Sequence, residues 1–289
     1  MSAVYKKELR AALCGMTGMI FIAYVLLILG LFTIYVCFSY GLGNFEYVVL
    51  NISFFSLLAV PVLTMRSFAE ERHSKTDQLL YSLPLSGTQV VLGKFLAMAT
   101  VFAIPCAVMC LYPLILSIYS DGGINFAIAY GAILAYFLLG CAVIAICMLL
   151  STLTENQVIA AIISLGTLLV MYFADLLLSI LPGTSFVSLG ILIVMGLLLG
   201  LICYRFTGSP LFGYAVAAVA ALSVIVIHFI NGSLFETVAS RVMDAVNLFK
   251  GLNTFELSTL DIGCMIRYFS VCGLFVFFTV QSFERRRWN

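Results

Sequence analysis

Residues 125–153 read NFAIAYGAILAYFLLGCAVIAICMLLSTL, an uninterrupted stretch without one charged side chain. An α-helix rises 1.5 Å per residue, so about 20 apolar residues cross the roughly 30 Å hydrocarbon core of a bilayer. The whole chain has the same character, because 63% of its 289 residues are hydrophobic and only 9% are charged. This composition excludes a soluble enzyme, a disordered chain and a nucleic-acid-binding domain.

Seven other segments are also long and apolar enough to cross a membrane, which predicts an all-α polytopic membrane protein with about eight transmembrane helices. The predicted spans are 16–40, 47–66, 88–118, 125–153, 156–181, 185–205, 211–231 and 262–283. The third span contains Pro105 and Pro113. We therefore expect a kink or a break within it.

The basic residues predict how the chain is oriented, because they concentrate on the cytoplasmic side of membrane proteins. With the N-terminus inside, the cytoplasmic side carries Lys6, Lys7, Arg10, Arg66, Arg72, Lys75, Lys94, Arg205, Arg285, Arg286 and Arg287. The outer side carries only Arg241, Lys250 and Arg267. Since an even number of spans returns the chain to its starting side, we expect both termini in the cytoplasm and the protein in a cell membrane.

The N-terminal segment 1–13 has the pattern of an amphipathic helix. Tyr5, Leu9 and Leu13 fall on one face, while Lys6 and Lys7 lie on the other. Such a helix is suited to the cytoplasmic membrane interface. An ordinary basic flank that only fixes the topology is the alternative interpretation.

The segment between the second and third spans, 66–87, is the most highly charged part of the chain. It reads RSFAEERHSKTDQLLYSLPLSG, and its charged half is followed by several leucines and then by Pro84 and Gly87. The pattern predicts a short cytoplasmic helix–turn–helix with an apolar end rimmed by charge, which is the composition of a docking surface. A solvated connecting loop would have the same composition.

A third polar segment, 232–261, is predicted on the outer side. Ser233 and Glu236 fit a capping box, and Phe235, Val238 and Val242 follow at helical spacing. We expect an amphipathic helix lying on the outer membrane face.

Several short motifs occur in order along the chain. They are YKKEL (Tyr5–Leu9), FAEE (Phe68–Glu71), LPLS (Leu83–Ser86), VLGK (Val91–Lys94), FKG (Phe249–Gly251), Asp261 and ERRRW (Glu284–Trp288). Together with the rest of Met65–Ala97, they resemble permeases of the ABC-2 family, in the branch related to gliding-motility and copper-site-maturation permeases. The similarity covers roughly residues 1–181 and 228–289.

The resemblance implies a permease subunit of an ATP-binding cassette exporter in a prokaryotic cell membrane. Its partners would be two cytoplasmic P-loop ATPase subunits and a second permease subunit, identical or different, within the lipid bilayer and without nucleic acid. The chain has no Gly-x-x-x-x-Gly-Lys-Ser/Thr motif, so ATP is expected on the partner. We predict no catalytic residue and no directly bound cofactor or metal.

The resemblance also assigns roles to individual residues. Residues 1–13 would form the elbow helix, and residues 67–87 would form the coupling segment that fits a cleft on the ATPase. The predicted elbow residues are Tyr5, Lys6, Lys7 and Leu9; the predicted ATPase contacts are Glu70, Glu71, Arg72, Leu79, Leu80 and Leu83. For the glutamates, salt bridges to Arg66 or Lys75 within the loop are the alternative role.

The expected domain organisation is a single permease domain, 1–289. Members of the family usually have six spans, whereas residues 185–231 would add an inserted pair. The other predicted segments are 16–66 (first two spans), 88–181 (third to fifth spans), 232–261 (external segment), 262–283 (last span) and 284–289 (basic cytoplasmic tail).

Two other functional classes are compatible with a membrane protein. A gradient-driven carrier needs ionisable groups inside the membrane, but Asp175, His228 and Arg267 all lie near a predicted interface. Asp175 and Arg267 would form an external ion pair or would simply anchor their helices. A non-transport membrane scaffold is the remaining alternative, since an intramembrane hydrolase would need a catalytic motif that the sequence lacks.

Overall fold

The structure is a computed structural model that describes residues 1–39, 44–75, 86–119, 124–174, 247–256 and 261–288, and isolated residues between 176 and 224. The described residues form helices and no β-strand, which confirms the all-α prediction for this part of the chain. Contacts divide the chain into one unit formed by Met1–Leu169 and Phe249–Asn289 and a second unit, Val170–Leu248. The described part of the second unit consists of its start, scattered helical residues and its last two residues, Asn247 and Leu248.

The helices are defined here in chain order. They are α1 (Ser2–Cys14), α2 (Met16–Thr33) with a π-helix (Ile34–Ser39) behind it, α3 (Phe45–Thr64), α4 (Arg66–His73), α5 (Gly87–Met109), α6 (Tyr112–Tyr119), α7 (Phe126–Ser151), α8 (Gln157–Tyr172), α9 (Lys250–Glu256) and α10 (Ile262–Trp288).

Five helical stretches among the described residues are long and apolar enough to cross a membrane. They are Met16–Cys37, Phe45–His73, Gly87–Ile118, Phe126–Ser151 and Ile262–Arg285, and α8 is a shorter apolar helix. These stretches confirm a multi-pass membrane protein. Most residues of the predicted spans 185–205 and 211–231 lie outside the described residues, so the total of eight spans stays a prediction.

The expected break in the third span is confirmed. Helix α5 ends at Met109, Cys110 and Leu111 form a turn, and α6 begins at Tyr112. Pro113 lies in the first turn of α6, where the missing N–H of proline costs no helical hydrogen bond. Pro105 lies inside α5.

The second span is longer than the sequence predicts. Helix α3 continues through Met65, which has α-helical backbone angles (φ −55°, ψ −32°), directly into α4. The predicted coupling segment therefore begins as an extension of the span that precedes it. Residues 76–85 lie outside the described residues.

Helix α7 lies at the centre of the bundle and contacts α3, α5 and α10. A Cβ atom at Gly140 of α7 would overlap the ring of Phe102 on α5, so glycine is what allows these two helices to approach. The centroids of the Phe102 and Tyr136 rings are 5.3 Å apart, and both side chains are buried. Lipid is as apolar as these side chains, so close packing rather than exclusion from water stabilises such a contact.

The two ends of the bundle contain different elements. At one end, which we name the charged end, α1, α4, the start of α5, the end of α7 and the end of α10 meet. For example, Thr152 Oγ1 lies 3.0 Å from Ser282 Oγ, and Gly87 packs against Glu284. At the opposite end are the starts of α3, α7 and α10 together with α6 and α9, and Phe45 stacks on Tyr112 there.

Candidate functional site

A buried lysine connects three elements at the charged end. Lys94 on α5 is 1% exposed, and its Nζ lies 2.8 Å from a carboxylate oxygen of Glu71 on α4. The same Nζ donates hydrogen bonds to a carboxylate oxygen of Glu8 on α1 at 3.2 Å and to the carbonyl oxygen of Ser67 at 2.7 Å. One side chain thus bonds α1 and α4 directly to a membrane span.

The residue before Lys94 explains how α1 reaches it. A Cβ atom at Gly93 would lie 3.1 Å from Val4 Cγ1, so glycine lets the buried Val4 of α1 pack tightly on α5. Helix α5 itself begins where Ser86 accepts a hydrogen bond from the backbone N–H of Gln89, as an N-cap residue does. Ser86, the last residue of the LPLS motif, and Gly93 and Lys94 of the VLGK motif therefore have local structural roles.

The charged side chains that meet at Lys94 have no net charge. Lys7 Nζ lies 3.8 Å from Glu71 and 4.0 Å from Glu8, which makes two lysines and two glutamates in one cluster. The two carboxylates are only 17% and 19% exposed. Because charges outside water are costly unless they are paired, each carboxylate depends on Lys94 as its closest cation.

A second buried side chain holds the start of α4. The hydroxyl of Ser151, at the end of α7, accepts hydrogen bonds from the backbone N–H groups of Phe68 and Ala69 at 3.4 and 3.3 Å. It also donates to the carbonyl oxygen of Met65 at 3.3 Å. Helix α4 is therefore bonded to α7 through Ser151 as well as to α5 through Lys94.

The opposite face of α4 is accessible. Arg66, Glu70 and His73 are exposed and follow one another at helical spacing, and Arg66 forms an ion pair of 3.9 Å with Glu70. The helix ends where Lys75 adopts a left-handed backbone (φ 56°) and its N–H donates to the carbonyl oxygen of Arg72. We name Arg66, Glu70 and His73 the outer face of α4.

The predicted ATPase contacts differ in accessibility. Glu70 belongs to the outer face of α4, whereas Glu71 points into the Lys94 cluster and Arg72 is buried. The alternative role foreseen for the glutamates holds for Glu70, which pairs with Arg66; Glu71 pairs with Lys94 and Lys7 instead. Leu79, Leu80 and Leu83 lie outside the described residues, so their roles stay predictions.

The N-terminal segment is helical, as predicted. On α1, Tyr5 lies with its hydroxyl 3.1 Å from Thr100 Oγ1, Lys6 is exposed, Lys7 joins the Lys94 cluster and Leu9 is half-buried. The helix packs along α5 and α2. Its position at the membrane interface stays a prediction.

The predictions for the outer side are largely untested. Asp175, His228 and residues 232–246, with the capping box, lie outside the described residues. Arg267 is described, on α10, with its guanidinium carbon 5.9 Å from the centre of the Tyr268 ring. Within the described part of the chain, no group of three His, Cys, Asp or Glu side chains is placed to hold a metal ion.

Sequence reasoning missed the residues at the centre of the site. Lys94 counts there as a cytoplasmic basic residue and as the end of the VLGK motif, Glu8 occurs within the YKKEL motif, and neither they nor Ser151 receives a role in the site. The available signal is that Lys94 lies two turns inside an apolar helix, where a charged side chain usually has a partner.

A family model described as ABC-2 family transporter protein matches residues 38–187, which include α3 to α8 and thus Glu71, Lys94 and Ser151. No curated protein matches the chain significantly. The matched region covers more than half of the 289 residues and contains three of the five spans. The chain therefore belongs to the ABC-2 family of transporter proteins and is a membrane permease subunit of an ABC transporter.

Proposed function

We propose that this chain is one of two permease subunits of an exporter powered by two separate cytoplasmic P-loop ATPases that bind its charged end. The observation that supports this most directly is the Lys94 cluster. A force applied to α4 reaches the spans α5 and α7 through bonds of Lys94 and Ser151. The chain itself has no phosphate-binding loop, and the ionisable groups that a gradient-driven carrier would need lie near predicted interfaces, so an ATPase partner is the energy source that we favour.

The orientation of the charged end supports the same proposal. The basic residues that the structure describes there are Lys6, Lys7, Arg10, Arg66, Arg72, Lys75, Lys94, Arg285, Arg286 and Arg287. At the opposite end the described elements carry Lys250 and Arg267. Basic residues favour the cytoplasmic side, so we place the charged end and both termini there.

Within this proposal, the residues of α4 divide into two groups. Glu70 and the other residues of the outer face of α4 contact the ATPase, together with Leu79, Leu80 and Leu83. Glu71 and Arg72 are directed inward and position the helix. The export direction and the branch of gliding-motility and copper-site-maturation permeases rest on the family resemblance of the sequence motifs taken together. Whether the second permease subunit is identical or different is left open.

Charge reversal on the outer face of α4 tests the proposal. We expect Glu70→Lys to abolish co-purification of an ATPase subunit from native membranes and to lower ATP hydrolysis by the complex, while the yield of folded permease stays normal. Glu71→Lys places a third cation beside Lys7 and Lys94, so it should lower transport and ATPase activity while the chain still inserts into the membrane.

Glu155→Lys is the matched control, because Glu155 is an exposed glutamate that follows α7 at the same end of the bundle. It should retain the ATPase. An ATPase subunit that stays bound and active with Glu70→Lys would remove the outer face of α4 from the interface. If no P-loop ATPase co-purifies with the unaltered permease, the proposed energy source is wrong.

A further inference from the structure

A cavity of about 420 Å³ opens at the charged end between α1, α4 and α5. One part of its wall is apolar and the other part is charged, which is the lining expected for an amphiphilic ligand. The apolar part is formed by Ala11, Ala12, Leu63, Ala97 and Met98. The charged part is formed by Lys7, Glu8, Arg66, Glu70, Glu71 and Lys94.

The cavity lies where membrane spans end. Its wall includes Thr17, in the first turn of α2, and Leu63, in the last turn of α3. It also includes residues of α1, the helix that the sequence predicts at the membrane interface. A ligand in the cavity would therefore have its polar part at the depth of lipid headgroups and its apolar part toward the hydrocarbon.

Two cations of the lining are available to a ligand. Lys94 is fully engaged by Glu8, Glu71 and the Ser67 carbonyl group. The ion pairs of Lys7 and Arg66, in contrast, are 3.8–4.0 Å long, which exceeds the length of a hydrogen bond. Lys7 lies on α1 and Arg66 on α4, so a phosphate group between them would receive donors from two sides.

The acidic residues indicate which phosphate compound fits. The lining carries three cations and three carboxylates, so it has no net charge. Sites for anionic lipids have an excess of basic residues, whereas a balanced lining suits a headgroup that carries both a phosphate and an ammonium group. The half-exposed carboxylate of Glu70 would accept hydrogen bonds from the ammonium group.

We propose that this cavity binds the headgroup of a zwitterionic phospholipid of the phosphatidylethanolamine class. Lys7 and Arg66 hold its phosphate, Glu70 holds its ammonium group, and the apolar part of the wall contacts the glycerol and the first carbons of the acyl chains. The site requires only that the chain lies in a bilayer. Arg66 and Glu70 are also residues that we propose to contact the ATPase, so lipid and ATPase would compete for them, and the test uses the chain without an ATPase.

The test is lipid binding to the purified full-length chain in detergent, measured by native mass spectrometry. Phosphatidylethanolamine, phosphatidylglycerol with the same acyl chains, and soluble phosphoethanolamine as competitor are the probes. We expect one phosphatidylethanolamine to bind about fivefold or more tightly than phosphatidylglycerol. Soluble phosphoethanolamine should compete poorly, because it lacks the apolar part of the ligand.

The variants separate this site from general lipid adsorption. Arg66→Gln and Lys7→Gln should each weaken phosphatidylethanolamine binding by about tenfold, as expected for a lost charge-assisted hydrogen bond. Glu70→Gln should remove the preference over phosphatidylglycerol. Ala11→Phe keeps every charge but fills the apolar part of the cavity, so it should weaken binding of both lipids.

The matched control is Lys6→Gln, because Lys6 is an exposed lysine on α1 that does not line the cavity. It should bind lipid as the unaltered chain does. Thermal unfolding without added lipid checks that each variant is folded. Equal binding of the two lipids, or full binding by both Arg66→Gln and Lys7→Gln, would overturn the proposal. If phosphoethanolamine displaces phosphatidylethanolamine at equal concentration, the headgroup alone is the ligand and the proposed lipid site is wrong.

Discussion

The charged end of the bundle combines close packing with a cluster of buried ion pairs, whereas close packing and a hydrogen bond from Tyr130 to the Cys110 carbonyl group are described at the opposite end. At the charged end, directed bonds link residues far apart in sequence, such as Lys94 with Glu8 and Ser151 with Phe68. At the opposite end, Gly251 of α9 packs so closely on α10 that a Cβ atom would overlap Cys264, Arg267 and Tyr268. Under the proposed function the ATPase acts on the charged end, so we expect the moving parts there.

Removing the Lys94 charge should have the largest effect on stability and on transport, because it disrupts the ion-pair cluster at the charged end. Lys94→Met keeps most of the side-chain volume but leaves Glu8 and Glu71 without their closest cation. We expect a loss of about 3 kcal/mol in the free energy of unfolding, together with loss of transport. Thermal unfolding in detergent and a transport assay measure the two effects.

A second change separates electrostatics from packing at this position. Glu71→Gln in the Lys94→Met background removes one of the two carboxylates that have lost their closest cation, so it should restore part of the stability. Lys6→Met, at an exposed position of α1, is the control and should be neutral. If Lys94→Met is as stable as the unaltered protein, the ion pairs of the cluster do not contribute to the free energy of unfolding.

Gly251→Ala tests the packed end and should have an intermediate effect. The added methyl group would overlap side chains of α10 that are largely buried, so we expect a cost of about 1–3 kcal/mol. The comparison predicts that the variant loses stability while ATP hydrolysis per folded complex stays normal. Gly166→Ala, where no atom lies within 4 Å of the added Cβ, is the control and should not destabilise the protein.

Ser151→Ala should have the smallest effect on stability, and it tests whether the charged end contributes more to transport than to stability. It removes the acceptor for two N–H groups of α4, and the loss of a helix cap costs about 1 kcal/mol. Because Ser151 connects α7 to α4, we expect transport to fall more than stability. Ser117→Ala removes an exposed serine whose hydroxyl bonds only within α6, and transport should be unchanged. If Ser151→Ala lowers transport only in proportion to the amount of folded protein lost, Ser151 does not transmit movement from α4 to α7.

The sequence predicts the spans well because their signal is local. The apolar runs 88–118 and 125–153 correspond to helical stretches within two residues at each end, and Pro113 marks the break between α5 and α6. Pro84 and Gly87 were sufficient to predict where the third span begins. Length and composition decide these features within one segment, without any information about neighbours.

The centre of the candidate site depends on neighbours, and for that reason the sequence did not reveal it. Glu71 has Arg66 and Lys75 nearby in sequence, but it pairs with Lys94, which lies on another helix. A lysine in the first turns of a span usually extends its ammonium group to the membrane surface, so Lys94 appeared to be an ordinary flanking residue. Only the packing of Val4 against Gly93 brings Glu8 within reach of it.

The continuity of α3 and α4 has a mechanical consequence. The 29 residues of Phe45–His73 are about 43 Å long at 1.5 Å per residue, whereas the hydrocarbon core is about 30 Å thick. With the start of α3 at the opposite face of the hydrocarbon, roughly 13 Å of the same rod extends beyond it at the charged end. Pro61 removes one backbone hydrogen bond a single turn before α4, so the rod is most easily bent just where it leaves the membrane. His73 lies about 18 Å from Pro61 along the helix, so a tilt of about 10° at Pro61 would move the tip of α4 by about 3 Å, which is comparable to the length of the bonds that Lys94 makes.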